Sequence, residues 1–246
     1  DGTTSRGLGD VYKRQQMYGA KTVEYALDSD QGWAIDTDDI RRKMNDSVKF
    51  IVIVNPNNPT GNVAKPSTIK EVLSIARDWP NCTVIADEIY DALDFSGDQR
   101  SVASLSDEVP VVTLNGVSKV HFAPGWRIGY MAFFDPRGSL GAPRDGVERI
   151  LRSRLCASTP AQYGYLAGLE HDRLWLKERL STIERKVELC MDRIDGIEGL
   201  SCNRPGGAFY LFPKIENPSK YGSDKKFVLD LLLSLIHISE PTRRST

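Results

Sequence analysis

The sequence predicts an α/β fold: a mostly parallel sheet covered by helices, followed by the start of a small α+β domain. Three observations predict it. Short apolar, β-branched runs alternate with a helical stripe through the first half of the chain. Each of those runs ends in polar residues, where parallel α/β sheets gather their ligand groups. From residue 145 the pattern turns helical, and it returns to a strand only near residue 208.

Residues 49–54 (KFIVIV) form the first run and read as a buried parallel strand. After a Pro/Asn/Gly loop, Ile69, Val72, Leu73 and Ala76 recur at i, i+3, i+4 and i+7, one face of a helix. Pro66 suits the first turn of that helix. Residues 83–86 (TVIA), 111–114 (VVTL) and 128–134 are three further strands. Leu176, Leu180, Ile183, Val187, Cys190 and Ile194 mark the apolar stripe of a long helix. Gly196 and Gly199 interrupt it, and residues 208–212 (AFYLF) read as a strand. A long helix followed by a return to strand places a domain boundary near residue 180, with a large domain over 16–180 and the start of a small one over 181–232.

Composition excludes several classes of function. Hydrophobic residues are 40% and charged residues 26% of the 246, with a mean hydropathy of −0.34, which is neither a disordered chain nor a collagen. The net charge of −1 leaves no basic excess for nucleic acid or anionic lipid. No apolar run reaches the roughly 18 residues a membrane span requires. Four cysteines form no C-x-x-C pair, and three histidines offer no metal-ligand spacing. No metal and a reducing, cytoplasmic setting are expected.

The two ends are expected to be foreign to the fold. Residues 5–15 (SRGLGDVYKRQ), read against residues 233–243 (LSLIHISEPTR) in reverse, pair as reverse-complementary codons at all eleven positions. Residues 1–15 and 233–246 are therefore expected to be translated sequencing adapter. The genuine segment is 16–232, expected to be an internal fragment.

The chemistry lies at the strand ends. The first strand runs into N-P-N-N-P-T-G (55–61), the second into D-E-I-Y (87–90) and the third into N-G-V-S-K (115–119), with P-G-W-R-I-G-Y (124–130) beyond. Singly, each has a plain explanation: a turn, a helix cap, a solvated lysine, a surface arginine. Together, an amide, a carboxylate, a phenol, a lysine and an arginine fall at successive strand ends.

These motifs, with P-G-G-A-F-Y (205–210) and the Lys119-to-Arg127 spacing of eight, resemble those of the class I/II aminotransferases, which are fold-type I pyridoxal-phosphate enzymes. R-L-C-A-S-T-P-A-Q (154–162) and the block around Lys119 are similar to the alanine aminotransferase-like branch. The resemblance implies an incomplete large domain of that fold, with pyridoxal 5'-phosphate as cofactor. It implies that Lys119 forms the Schiff base and then moves the substrate's α-proton as general base and acid. It implies that Asp87 pairs with the pyridine N–H, that Tyr90 and Asn58 hydrogen-bond the ring oxygen, and that Arg127 clamps the phosphate. Gly116 stands where many relatives carry a phosphate-touching serine. Phe209 and Tyr210 are expected in the core, and Arg204 as a solvated turn residue.

The expected activity of the parent is amino-group transfer between a small, alanine-type amino acid and a 2-oxo acid, by a homodimer. The 246-residue chain alone is expected not to transaminate, because the resemblance places other cofactor and carboxylate contacts outside it. Two alternatives stay open: a pyridoxal-phosphate lyase of the same fold, and a non-catalytic aminotransferase-like regulatory domain. The parent's full reading frame separates them, the last by an upstream helix-turn-helix segment.

Overall fold

A computed structural model describes residues 19–171 and 174–235. Residues 1–15, expected to be adapter, lie outside the described residues, as do 236–246 at the other end.

A short hairpin opens the fold, with β1 (Leu27–Asp28) antiparallel to β2 (Ala34–Ile35). Helix α1 (Thr37–Lys43) follows, capped by the Asp36 carboxylate, which accepts from Asp39 N at 2.8 Å. The main sheet has four strands, β3 (Phe50–Val54), β4 (Thr83–Asp87), β5 (Val111–Gly116) and β6 (Gly129–Phe134), in that spatial order. β3–β4 and β4–β5 are parallel, and β5–β6 is antiparallel. The mostly parallel sheet read from the apolar runs is thus present, each strand within a residue or two of its expected limits.

Helix α2 (Pro66–Arg77) covers β3 and β4, with Pro66 in its first turn as expected. Its stripe of Ile69, Val72, Leu73 and Ala76 is buried in one cluster with Ile51, Ile53, Val84, Ala86 and Val111. Burying each of the larger aliphatic side chains contributes roughly 1.5–3 kcal/mol, which is why a periodicity of 3.6 against a period of 2 suffices to dock helix on sheet.

Three helices follow the sheet: α3 (Gly141–Ser153), α4 (Thr159–Glu170) and α5 (Leu174–Asp195). The expected domain limit at residue 180 falls inside α5, which continues unbroken to Asp195. Leu176, Leu180 and Ile183 of its stripe pack into a second cluster around Tyr90, Leu93, Val120 and Ala208. Beyond α5, β7 (Leu200–Cys202) pairs antiparallel with β8 (Pro213–Ile215), and α6 (Asp224–Leu235) ends the described chain.

The strand expected at 208–212 is not formed. The strands of this region are β7 and β8, on either side of it. Ala208 has a left-handed φ of 58°, which no strand accommodates. Its N–H donates to Leu93 O at 2.7 Å, a loop carbonyl, so the apolar run is committed to loop contacts in place of a ladder.

Candidate active site

Strand register brings the polar ends together. Val54 lies opposite Asp87, and Asp87 opposite Leu114. Main-chain bonds carry the alignment one residue further: Asn55 N donates to Asp87 O at 3.0 Å, and Glu88 N to Leu114 O at 2.9 Å. The loops after β3, β4 and β5 therefore leave the sheet side by side.

The loop after β3 is built on its own amides. Asn57 Oδ1 accepts from Thr60 Oγ1 at 2.8 Å, Gly61 N donates to Asn57 O at 2.9 Å, and Asn57 N donates to Asn62 O at 2.8 Å. This fold-back turns Asn58 toward the next strand end, where its Nδ2 donates to Tyr90 Oη at 3.4 Å. Tyr90 is buried, and its hydroxyl lies 2.6 Å from that of Tyr210. Lys119 Nζ stands 5.6 Å from the Tyr90 ring centre and 5.4 Å from that of Phe209, a cation held against two aromatic rings.

Asp87 closes the group. One of its oxygens accepts from Ile89 N at 3.2 Å, and the other has no donor among the described residues. Burial pushes its carboxyl above the usual range, while the Ile89 N–H and the charge on Lys119 pull it back. Burial also pushes the Tyr90 phenol up, so Tyr90 stays protonated and able to donate. Glu88, on the other side of the strand, serves structure: its Oε1 accepts from Val102 N at 2.7 Å.

Of the five residues singled out from the sequence, Asn58, Asp87, Tyr90 and Lys119 meet here. Arg127 lies on the same β5–β6 connection but is exposed, with a left-handed φ of 52° and its Nη1 donating to Pro124 O at 3.1 Å. Arg204 is exposed, as expected, and forms an ion pair with Glu188. Phe209 departs from the expectation of core, being 38% exposed beside Lys119. Tyr210 packs against the second cluster as expected, and its hydroxyl also bonds that of Tyr90. The motif that contains them was visible, but nothing in its spacing tied it to a strand end 120 residues earlier.

What places them is a clamp between two loops. Gly206 N and Gly207 N both donate to Gly61 O, at 2.9 and 3.0 Å, and Phe95 N donates to Gly206 O at 2.8 Å. Gly207 has no room for a side chain, since a Cβ there would lie 2.6 Å from Leu93 O.

The donor set suits a planar, nitrogen-containing cofactor with an anionic oxygen. The unmatched Asp87 oxygen can take a cationic ring N–H, and the Tyr90 and Asn58 groups can face the oxygen. A parallel α/β sheet with an amine, a carboxylate and a phenol at its carboxyl ends defines the large domain of the fold-type I enzymes. Within that class, the chain belongs to the aminotransferase class I and II family, whose model matches residues 12–242.

Among its relatives, the glutamate-pyruvate aminotransferase AlaA of Haemophilus influenzae is 37% identical over 221 residues, covering 88% of this chain and 54% of that protein. The alanine aminotransferase of Mycobacterium tuberculosis is 33% identical, covering 89% of this chain and 52% of that protein. Among solved structures, an alanine aminotransferase from Pyrococcus furiosus superimposes with a TM-score of 0.86 at 44% identity, covering 89% of this chain and 55% of that one. The chain thus spans about half the length of the curated relatives it matches. Among the described residues, no helix is long and apolar enough to cross a membrane, and no cluster of histidine, cysteine and acidic groups could hold a metal ion.

Proposed function

We propose that the protein is part of a pyridoxal-phosphate-dependent aminotransferase that passes an amino group between a small, alanine-type amino acid and a 2-oxo acid. The observation that carries this is the convergence of Lys119 Nζ, the half-free Asp87 carboxylate and the Asn58–Tyr90 pair at adjacent strand ends. The naming of similar chains as alanine aminotransferases supports the alanine-type substrate.

When bound, pyridoxal phosphate supplies an electron sink for the carbanion left at the substrate's α-carbon. The chain's residues do the rest. Asp87 holds a ring N–H and favours its protonated form by charge pairing. Tyr90, held by Asn58, would donate to the ring oxygen. Lys119 would be the covalent anchor and, once freed, the base that takes the substrate's α-proton and holds it for return. The aromatic faces of Tyr90 and Phe209 restrict where its amine can swing. Arg127 would hold the phosphate. The parent would act as a homodimer. Four free cysteines agree with a cytoplasmic location.

The test uses the full-length parent. Adding pyridoxal phosphate should produce an imine absorption band that Lys119→Ala abolishes, and the loaded protein should convert alanine and a 2-oxo acid to pyruvate and the matching amino acid. A band that survives Lys119→Ala overturns the assignment.

A further inference from the structure

We propose that Tyr210 is a positioning residue for Tyr90: its hydroxyl donates to Tyr90 Oη and so leaves the Tyr90 proton free for the ligand's anionic ring oxygen. This rests on the reading of the site given under Proposed function.

Donors and acceptors around the phenol set the direction of the bond. A tyrosine hydroxyl has one proton to give and two lone pairs to fill. Asn58 Nδ2 fills one lone pair of Tyr90 Oη from 3.4 Å. Tyr210 Oη stands 2.6 Å away, and by distance alone either oxygen could be the donor. The Tyr210 hydroxyl, however, has no other hydrogen-bond acceptor among the described residues. If Tyr90 donated to Tyr210, the Tyr210 proton would have no protein acceptor and Tyr90 would have nothing left to offer. If Tyr210 donates, both lone pairs of Tyr90 are filled and its proton points outward. Only the second arrangement leaves every group matched once an anionic acceptor arrives.

The contact is built to be held. The two rings meet edge to face at 5.6 Å between centres, and Tyr90 is 2% exposed. The segment carrying Tyr210 is tied to the Asn58 loop through the two glycine N–H bonds to Gly61 O. Among the described residues, the titratable groups facing Tyr90 are Tyr210, Asp87 and Lys119. Hydrogen bonds in a chain polarise one another, and a Tyr90 hydroxyl that accepts from Tyr210 donates more strongly onward. Stronger donation to the ring oxygen stabilises its negative charge. The neighbouring imine then gives up its proton at lower pH.

The experiment follows the pH midpoint of the imine absorption band in the cofactor-loaded full-length parent, for wild type, Tyr210→Phe, Tyr90→Phe and the double variant. Phenylalanine keeps the ring and its packing, so a purely structural Tyr210 would leave the midpoint where it is. The expected result is a rise of roughly half a pH unit for Tyr210→Phe, a larger rise for Tyr90→Phe, and no further rise in the double variant. An unchanged midpoint in Tyr210→Phe, or a double variant that sums the two singles, overturns the proposal while a Lys119-dependent band leaves the site reading standing. Absence of any Lys119-dependent band overturns the site reading, and this inference with it.

Discussion

Gly61 and Pro205 touch so closely that a methyl group on Gly61 would lie 2.4 Å from Pro205 Cβ. Gly61 also carries a left-handed φ of 69°, which disfavours any side chain whatever the space. This one position joins the loop that holds Asn58 to the segment that holds Tyr210. Gly61→Ala should therefore destabilise the fold by about 2–4 kcal/mol, from strain and clash together. Denaturant unfolding of the two forms measures it, and a loss below a few tenths would mean the clamp is not rigid.

Gly116 presents a different constraint. A Cβ there would sit 2.8 Å from Ile128 O and 3.0 Å from Gly129 Cα, in the tight pairing of β5 with β6. A side chain at this place has no room. Gly116→Ser should cost about 1–3 kcal/mol of stability and weaken cofactor affinity instead of adding a phosphate contact. Fluorescence titration with pyridoxal phosphate, alongside thermal unfolding, checks both.

Glu88 and Asp39 should respond to pH in opposite senses. Burial raises the Glu88 carboxyl above its ordinary 4.5, so the folded state favours its neutral form. The stability it contributes is complete below pH 4.5 and is lost as pH rises through its higher folded value. Glu88→Gln keeps an acceptor for Val102 N without a buried charge, and its stability relative to wild type should improve from pH 5 to pH 8. Glu88→Ala leaves that N–H unmatched and should cost about 1–3 kcal/mol. Asp39 is lowered from 3.8 to about 2, first by its bond to Lys43, with the Ala26 N–H and Arg42 contributing. Its stabilisation is present above pH 3.8 and is lost as pH falls through about 2. Asp39→Asn should therefore be weaker than wild type at pH 6 and no weaker near pH 2. Urea unfolding across that range decides both.

Asp87→Asn should leave folding intact, since the amide oxygen can still accept from Ile89 N. It removes the charge proposed to hold the ring N–H. Amino-group transfer by the full-length parent should fall by roughly 10- to 100-fold or more, in line with about 1.5–3 kcal/mol for one charged hydrogen bond. Unchanged turnover would remove Asp87 from the proposed machinery.

Much of this was legible in the chain because it is local. An apolar run between loops forms a strand, a 3.6-residue stripe forms a helix, and the residue after a strand sits at its end. Asn58, Tyr90 and Lys119 each follow a strand and Asp87 ends one, so linear order alone placed them at one edge of the sheet. The helical stripe of α2 was equally plain, because its burial pattern is its sequence pattern.

The remainder depended on contacts between segments far apart in the chain. The apolar run at 208–212 has a strand's composition, but the Leu93 carbonyl takes the Ala208 N–H, and Ala208 is left-handed beside the Gly206–Gly207 clamp on Gly61. That turn puts Phe209 and Tyr210 beside Lys119 and Tyr90, where periodicity offered only core. Arg127 likewise is exposed and bonded to Pro124 O at a left-handed backbone angle that no motif displays. Sequence order determines which groups leave the sheet together, because strand ends are local facts. Which second layer of groups meets them is a matter of long-range packing, decided only when the glycines let two loops close on each other.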